Sequence, residues 1–349
     1  MPILKAEQLL RVATKIFVAA GVPLDEASLV SEYLVKSNLA GHDSHGVIRI
    51  AQYLKDMDKG LVKTGSKIEI IRETRSSALL NGNWGFGQVI AKKTMEIAIE
   101  KAKKNSIGIA CTFNCNHIGR LADYTALALE NGMIGVAMVN ARKSVAPYGG
   151  RERMLSTGPI SYAFPTKRDP PFILDIATST TAEGKVRVSL HKGEKLPDGW
   201  IIDKDGNPSN DPEDYYNGGA LLPLGGDANG HKGFGLGLAV EVLGGILTGD
   251  GCAYQTEKRG NGLFFEAIDI ESFMPLDEFK SQMDNLIRAV KSSKLRPGSK
   301  EIMIPGEPEF RTEQKRRKEG IPVPEKTWEE ITNIAKNLNL DIAALIDQE

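Results

Sequence analysis

IGIACTFNCNHIGRLADYTALALENGMIGVAMV, residues 107–139, decides the fold class. Its first apolar run, Ile107 to Phe113, is too short for a helix and ends in polar residues. Apolar residues then recur at helical spacing from Arg120 to Glu130, Asn131-Gly132 stops that pattern, and a second apolar run fills Ile134 to Val139. Strand, helix and strand in that order form a crossover unit, which makes the two strands parallel. The class is therefore α/β. Just upstream, Gly85 and Gly87 precede a long helical pattern, Gln88 to Lys104; downstream, strands are expected at Phe172 to Ala177 and Leu263 to Ile270, with a glycine-rich helix from about Gly233 to Leu247.

Farther out the pattern changes. Leu9, Leu10, Val12, Ala13, Ile16 and Phe17 repeat at helical spacing up to Gly21, and a second helical run extends from about Asp25 to Gly41, so the first eighty residues read as mostly helical. Residues 193–219, dense in Gly, Pro, Asp and Asn, read as a surface excursion with tight turns. Helix returns after Pro275 to about residue 293 and again after Pro324, where Thr327 and Glu330 have the spacing of a capping box. The basic cluster at residues 311–320, RTEQKRRKEG, reads as a solvated face rather than a phosphate site.

With 44 basic and 45 acidic residues the net charge is −1, which argues against nucleic acid or an anionic membrane as a partner and for a small molecule. A chain of 349 residues, 41% hydrophobic, suggests two or three structural units. Cys111, Cys115 and Cys252 fit neither a disulfide framework nor a usual zinc site, and are read as reduced thiols of a cytoplasmic protein. Charges at Lys5, Glu7, Arg11 and Lys15 interrupt the N-terminal apolar face, so no signal peptide is expected; residues 233–249 are too short and too broken by glycine to span a bilayer.

The chemistry concentrates in GHDSHGVIRI, residues 41–50. If this stretch continues as a helix, Val47, Ile50, Ala51, Leu54 and Met57 form an apolar stripe, and His45, Arg49 and Gln52 share the opposite face. An imidazole can exchange a proton with a carbonyl or hydroxyl oxygen, and a guanidinium one turn away can hold a carboxylate. Together they suit a 2-oxo or 2-hydroxy acid, whose interconversion needs a hydride carrier that no side chain supplies. The bland alternative is a solvated pair on an amphipathic helix. A zinc-dependent hydrolase or a metal-binding protein using His42, His45 and His117 (or His231) is the competing class, though no ligand motif accompanies these residues. Neither the G-x-G-x-x-G fingerprint nor a complete phosphate loop is present; GNWGFGQ and GGDANGHKG only approach them.

Seven ordered blocks resemble the malate/L-lactate dehydrogenase family of the second, non-Rossmann type, which includes sulfolactate and ureidoglycolate dehydrogenases and diketogulonate reductases. They are GHDSHGVIR (41–49), NHIGRLADYT (116–125), VAPYGG (145–150), ILDIATSTTAEGKV (173–186), DGWIIDKDGNPSNDP (198–212), LLPLGG with HKGFGLGLAVEVLGGILTG (221–249), and IPGEPE (304–309). The resemblance implies a central α/β domain, residues 79–272, that binds NAD or NADP without a Rossmann motif. A helical domain built from residues 1–78 and 273–349 would flank it, and the active form would be a homodimer. By motif, His45 resembles the catalytic proton donor and acceptor, with Ser44 orienting it and His117 as the second candidate, and Arg49 resembles the carboxylate clamp. Ile173, Leu174, Asp175, Ile176, Ala177, Thr178 and Ser179 resemble the cofactor-binding strand end, joined by Lys185, His231, Lys232, Gly306 and Glu307. Two departures stand out: STGP at 156–159 where many relatives have GTNP, and Arg142-Lys143, two cations that would favour a more anionic substrate or the 2′-phosphate of NADP.

Overall fold

A mixed seven-stranded sheet organises the computed structural model, which describes residues 1–255 and 259–347. Before the sheet come a short strand β1 (Ile3–Leu4) and helices α1 (Ala6–Ala19), α2 (Leu24–Leu39) and α3 (Arg49–Asp58). Leu9, Val12, Ala13, Ile16 and Phe17 line the buried face of α1, as the helical spacing predicts. The expectation of a mostly helical first eighty residues fails at the end: β2 (Glu69–Glu73) and β3 (Ser77–Asn81) form a hairpin on the sheet edge. Every residue of β2 is exposed, so it shows no strict apolar alternation.

Helix α4 (Gly87–Asn105) crosses from β3 to β4 (Ile107–Cys115), the one parallel pair of neighbours among the described strands. Helix α5 (Ala122–Leu129) leads to β5 (Met133–Asn140), followed by β6 (Ile160–Phe164), β7 (Phe172–Ile176) and α6 (Glu183–Lys192). An excursion holds β8 (Ile201–Ile202), β9 (Pro208–Ser209), α7 (Pro212–Tyr216) and β10 (Ala220–Leu221), a small sheet rather than turns alone. Helix α8 (Gly226–Val240) runs on as a π-helical segment, Glu241–Ile246, before β11 (Asn261–Asp269).

The sheet order is β2-β3-β4-β11-β5-β6-β7. Strands β4 and β5 do run parallel, as the crossover predicts, but β11 lies between them and pairs antiparallel with both. The directions of the six pairings give β3, β4, β5 and β7 a common sense. Their C-terminal ends therefore share one side of the sheet, where ligands of open α/β sheets commonly bind.

After β11 come α9 (Leu276–Lys291), α10 (Glu307–Glu319), β12 (Ile321–Pro322), α11 (Glu325–Asn337) and α12 (Ile342–Asp347). Strand β12 pairs with β1, and Ile321, Val323, Ile331, Ala335 and Leu345 join one core with Leu9, Phe17, Leu34 and Phe86. The expected capping box of α11 does not form: Pro324 is the N-cap, and Thr327 is buried inside the first turn. No described helix is long and apolar enough to cross a membrane, and none of the three cysteines forms a disulfide.

Candidate active site

The GHDSHG loop leaves α2 and is gripped from two sides. Asn38 Oδ1 accepts from Val47 N at 2.8 Å, and its Nδ2 donates to Asp43 Oδ1 at 2.7 Å. Arg316 of α10 donates to both oxygens of Asp43, at 2.6 and 3.1 Å, so this member of the basic cluster is an anchor and not part of a solvated face. The loop turns as a 3-10 element at Asp43–His45, and α3 starts only at Arg49. His45 and Arg49 nevertheless stay neighbours, because the turn feeds directly into the helix: Arg49 N donates to Gly46 O at 3.0 Å.

Arg49 Nε donates to Ser44 O at 2.6 Å and Nη1 to Gln52 Oε1 at 2.5 Å, which fixes the guanidinium beside the loop. Ser44 does not orient His45 as the sequence suggested: its carbonyl holds Arg49, its Cβ faces Gly184 of α6, and His45 Nδ1 is buried with no hydrogen-bond partner among the described residues.

His117 comes from the loop after β4. Asn116 clamps that loop by donating to Trp84 O, Gly85 O and Leu61 O at 2.8, 3.0 and 3.2 Å. The first turn of α4 presses against it so closely that a Cβ at Gly87 would stand 2.2 Å from His117 O, so no other residue fits there. Two distant segments thus meet: the His45 and His117 rings stack, with centroids 5.2 Å apart and planes 15° from parallel. Tyr53, one turn beyond Arg49, places its hydroxyl 2.8 Å from His117 Nδ1, and Gln88 Nε2 donates to that hydroxyl at 2.8 Å.

Burial keeps both imidazoles neutral. His45 is pushed down to about 3 by desolvation, with Arg49, His42 and Arg120 adding to it. His117 lies well below the usual histidine range, again from burial first, then Arg49 and His45. Burial also raises the Tyr53 phenol to about 12. Arg49 is lowered by burial yet remains a cation. On the far side, Asp175 Oδ2 accepts from Ala122 N at 2.8 Å, so it caps α5 from across the sheet, and burial raises its carboxyl despite that bond and Arg120. His42 pairs with Glu309 at 3.3 Å.

The remaining sequence candidates scatter more widely. Thr178 donates to Thr157 O at 3.1 Å and Ser179 to Thr181 O at 2.7 Å, both buried, while Ile173, Leu174 and Ile176 are half-buried along β7 and Ala177 is half-buried just after it. Gly158 of STGP has a positive φ of 40°, and a Cβ there would meet Thr178 Oγ1 at 2.9 Å. Lys185 is exposed on α6, whose start lies against Ser44; His231 and Lys232 are exposed on α8, His231 edge-on to Tyr148. Arg142 and Lys143 are exposed just beyond β5, at the same end of the sheet as the His117 loop. The Glu307 carboxylate is held by Lys291 and by Ile304 N at 3.0 Å, which anchors the turn. Gly306 packs on the start of β7. Sequence reasoning missed Tyr53 and Gln88. Tyr53 carried a signal, since it sits four residues from Arg49 and shares its helix face; nothing local marked Gln88.

Among the described residues no three His, Cys, Asp or Glu side chains gather to hold a metal ion, which removes the ligand set that the zinc alternative required. What remains is a pair of neutral imidazoles beside a fixed guanidinium, at the C-terminal ends of parallel strands. Such a site has the chemistry to handle an oxygen atom and a carboxylate of one small acid. The family model described as malate/L-lactate dehydrogenase matches residues 4–332, and the chain belongs to that family. It is 44% identical to the malate dehydrogenase of Pyrococcus horikoshii over 95% of this chain and 93% of that one. It is 37% identical to the L-sulfolactate dehydrogenase of Methanocaldococcus jannaschii over 99% and 100% of the two chains. The solved malate dehydrogenase of P. horikoshii superposes with a TM-score of 0.90 at 41% identity, covering 97% and 96%. The protein is a nicotinamide-dependent dehydrogenase interconverting small 2-hydroxy and 2-oxo acids.

Proposed function

We propose that the substrate is a malate- or lactate-type acid whose carboxylate is held by Arg49 while the imidazole pair of His45 and His117 exchanges the proton of the C2 oxygen. One observation carries this reading: the stacked imidazoles lie beside a guanidinium already braced by Ser44 O and Gln52. A braced guanidinium loses little freedom on binding and aligns the acid for transfer. A bound nicotinamide would supply or accept the hydride at C2. The residues fit such a group: His45 Nδ1 is buried and unbonded among the described residues, and Lys185, Arg142 and Lys143 are exposed cations suited to phosphate. Residues 173–179, with His231, Lys232 and Gly306, are the proposed cofactor contacts. Glu307, which anchors the same turn, is proposed with them.

The preference between NAD and NADP is proposed to rest on Arg142 and Lys143. Removing both should weaken NADPH more than NADH. The homodimer is supported by α8 and its π-helical extension, where Leu238, Val242 and Ile246 recur every fourth residue and are 44%, 49% and 65% exposed. A cytoplasmic location is supported by the absence of disulfides. The helical unit is proposed to draw on both ends of the chain, since Leu4 to Phe86 and Ile321 to Leu345 contribute to one core.

The test is steady-state kinetics with the 2-oxo partners of malate, lactate and sulfolactate, each with NADH and NADPH. Arg49→Ala should raise KM for the acid about 10- to 100-fold, the size expected for a charged hydrogen-bonded contact, with NADH affinity by fluorescence unchanged. No turnover by wild-type protein with any of these acids and either cofactor would sink the reading.

A further inference from the structure

Behind His117 stand two buried side chains that the proton exchange described above does not require. Tyr53, 3% exposed, meets Nδ1, and Gln88, 1% exposed, meets Tyr53; the Gln88 Oε1 atom is buried without a partner among the described residues. A phenol both donates and accepts, and an amide offers a donor on one side and an acceptor on the other. The trio therefore has two arrangements that keep both of its hydrogen bonds. In the first, Gln88 Nε2–H donates to the Tyr53 oxygen, as the structure shows, and the Tyr53 O–H donates to Nδ1, which assigns the proton of a neutral His117 to Nε2. In the second, the amide is turned over. Tyr53 O–H then donates to Gln88 Oε1, Nδ1–H donates to the Tyr53 oxygen, and Nε2 is bare.

The second arrangement serves both directions of proton exchange. When the hydroxyl O–H bond of the acid breaks, its proton bonds to Nε2, and the resulting imidazolium keeps its Nδ1–H satisfied by Tyr53. In reduction the Nε2–H bond breaks and the proton goes to the C2 oxygen. His45 lacks any such support, because a proton on its Nδ1 would be a buried donor with no acceptor. We propose that Tyr53 and Gln88 are positioning residues forming a reversible relay that carries His117 through both charge states, so that His117 rather than His45 exchanges the proton. This inference rests on the dehydrogenase reading above. The groups facing His117 are Arg49 and Tyr53 from α3 and His45 from the preceding turn; Gln88 on α4 is neutral, and Cys115 lies beyond Tyr53.

Tyr53→Phe removes the acceptor for Nδ1–H. It should lower kcat about 10- to 100-fold, as loss of an orienting partner commonly does, with KM for the acid within about twofold. The limb of the kcat–pH profile set by the imidazole should move to lower pH, because the charged form loses its partner. Gln88→Glu should move it to higher pH, because a carboxylate behind Tyr53 favours the imidazolium. A limb unmoved by both variants, or moved by His45→Asn and by neither of them, overturns the proposal. A second readout needs no turnover. In histidine-labelled free protein, nitrogen NMR should show the His117 proton on Nε2, with the tautomers mixed in Tyr53→Phe and Nδ1 protonated in Gln88→Glu. A wild-type His117 protonated on Nδ1, or a Tyr53→Phe spectrum identical to wild type, overturns the relay even if the substrate reading fails on its own kinetic test.

Discussion

His45 and His117 share a stack but differ in what stands behind them. That difference decides how the protein meets acid. The His45 imidazole has an ordinary value of 6.5 in an unfolded chain and about 3 in the fold. The folded state therefore binds fewer protons, and protonation favours unfolding. Stability from this group is complete above about pH 6.5 and is lost progressively as pH falls toward 3. At about pH 5 the loss is roughly 2 kcal/mol, from about 1.4 kcal/mol per pH unit. His45→Asn should accordingly lose about 2 kcal/mol less than wild type between pH 7.5 and 5, read from urea midpoints at each pH. An equal loss in both proteins would show that His45 is not buried neutral. Arg49 belongs to the same scale: Arg49→Lys keeps the charge but cannot brace against Ser44 O and Gln52 together, so it should recover only part of the KM lost in Arg49→Ala.

The first turn of α4 is the element on which the site depends, since it carries Gln88 and abuts the backbone of His117. Gly87→Ala puts a Cβ 2.2 Å from His117 O, so either the helix or the loop must move. The expected cost is about 1–3 kcal/mol, with a fall in kcat. Unchanged urea midpoint and turnover would contradict the close approach. Much of this element was legible in sequence. Gly85 and Gly87 announced a turn into helix, and the periodicity from Gln88 onward gave its length. What lay against it was not legible, because the packing of Gly87 on residues 116–117 joins segments about thirty positions apart. The same holds for the His stack: each histidine sits in a recognisable block, but only the packing of the α2–α3 turn and α3 on the loop after β4 brings the blocks together. Residues 69–73 were missed because an exposed edge strand carries no inward stripe, and the helix start at His45 was misplaced because His45 lies in a 3-10 turn. Arg316 was misread for the opposite reason: a run of five cations looks solvated, although one of them reaches Asp43.

For the whole molecule, the surface of α8 and its π-helical extension offers the sharpest test. Leu238, Val242 and Ile246 form an exposed apolar stripe, and the only charge within residues 233–249, Glu241, is turned inward to Ser156 and Ala253 N. Val242→Arg with Ile246→Arg should convert a dimer into monomers by light scattering. A wild-type monomer, or a variant that remains dimeric, would remove that stripe as the contact. The same scale explains why fold class was readable while strand order was not: β11 enters the sheet from a segment more than a hundred residues after its partner β5, and no local pattern encodes that choice. This insertion orders events during synthesis. A growing polypeptide that has left the ribosome only as far as residue 258 holds β4 and β5 with bare facing edges and nothing to place between them, so its two half-sheets must wait, open to chaperones or to one another, until Asn261–Asp269 emerges.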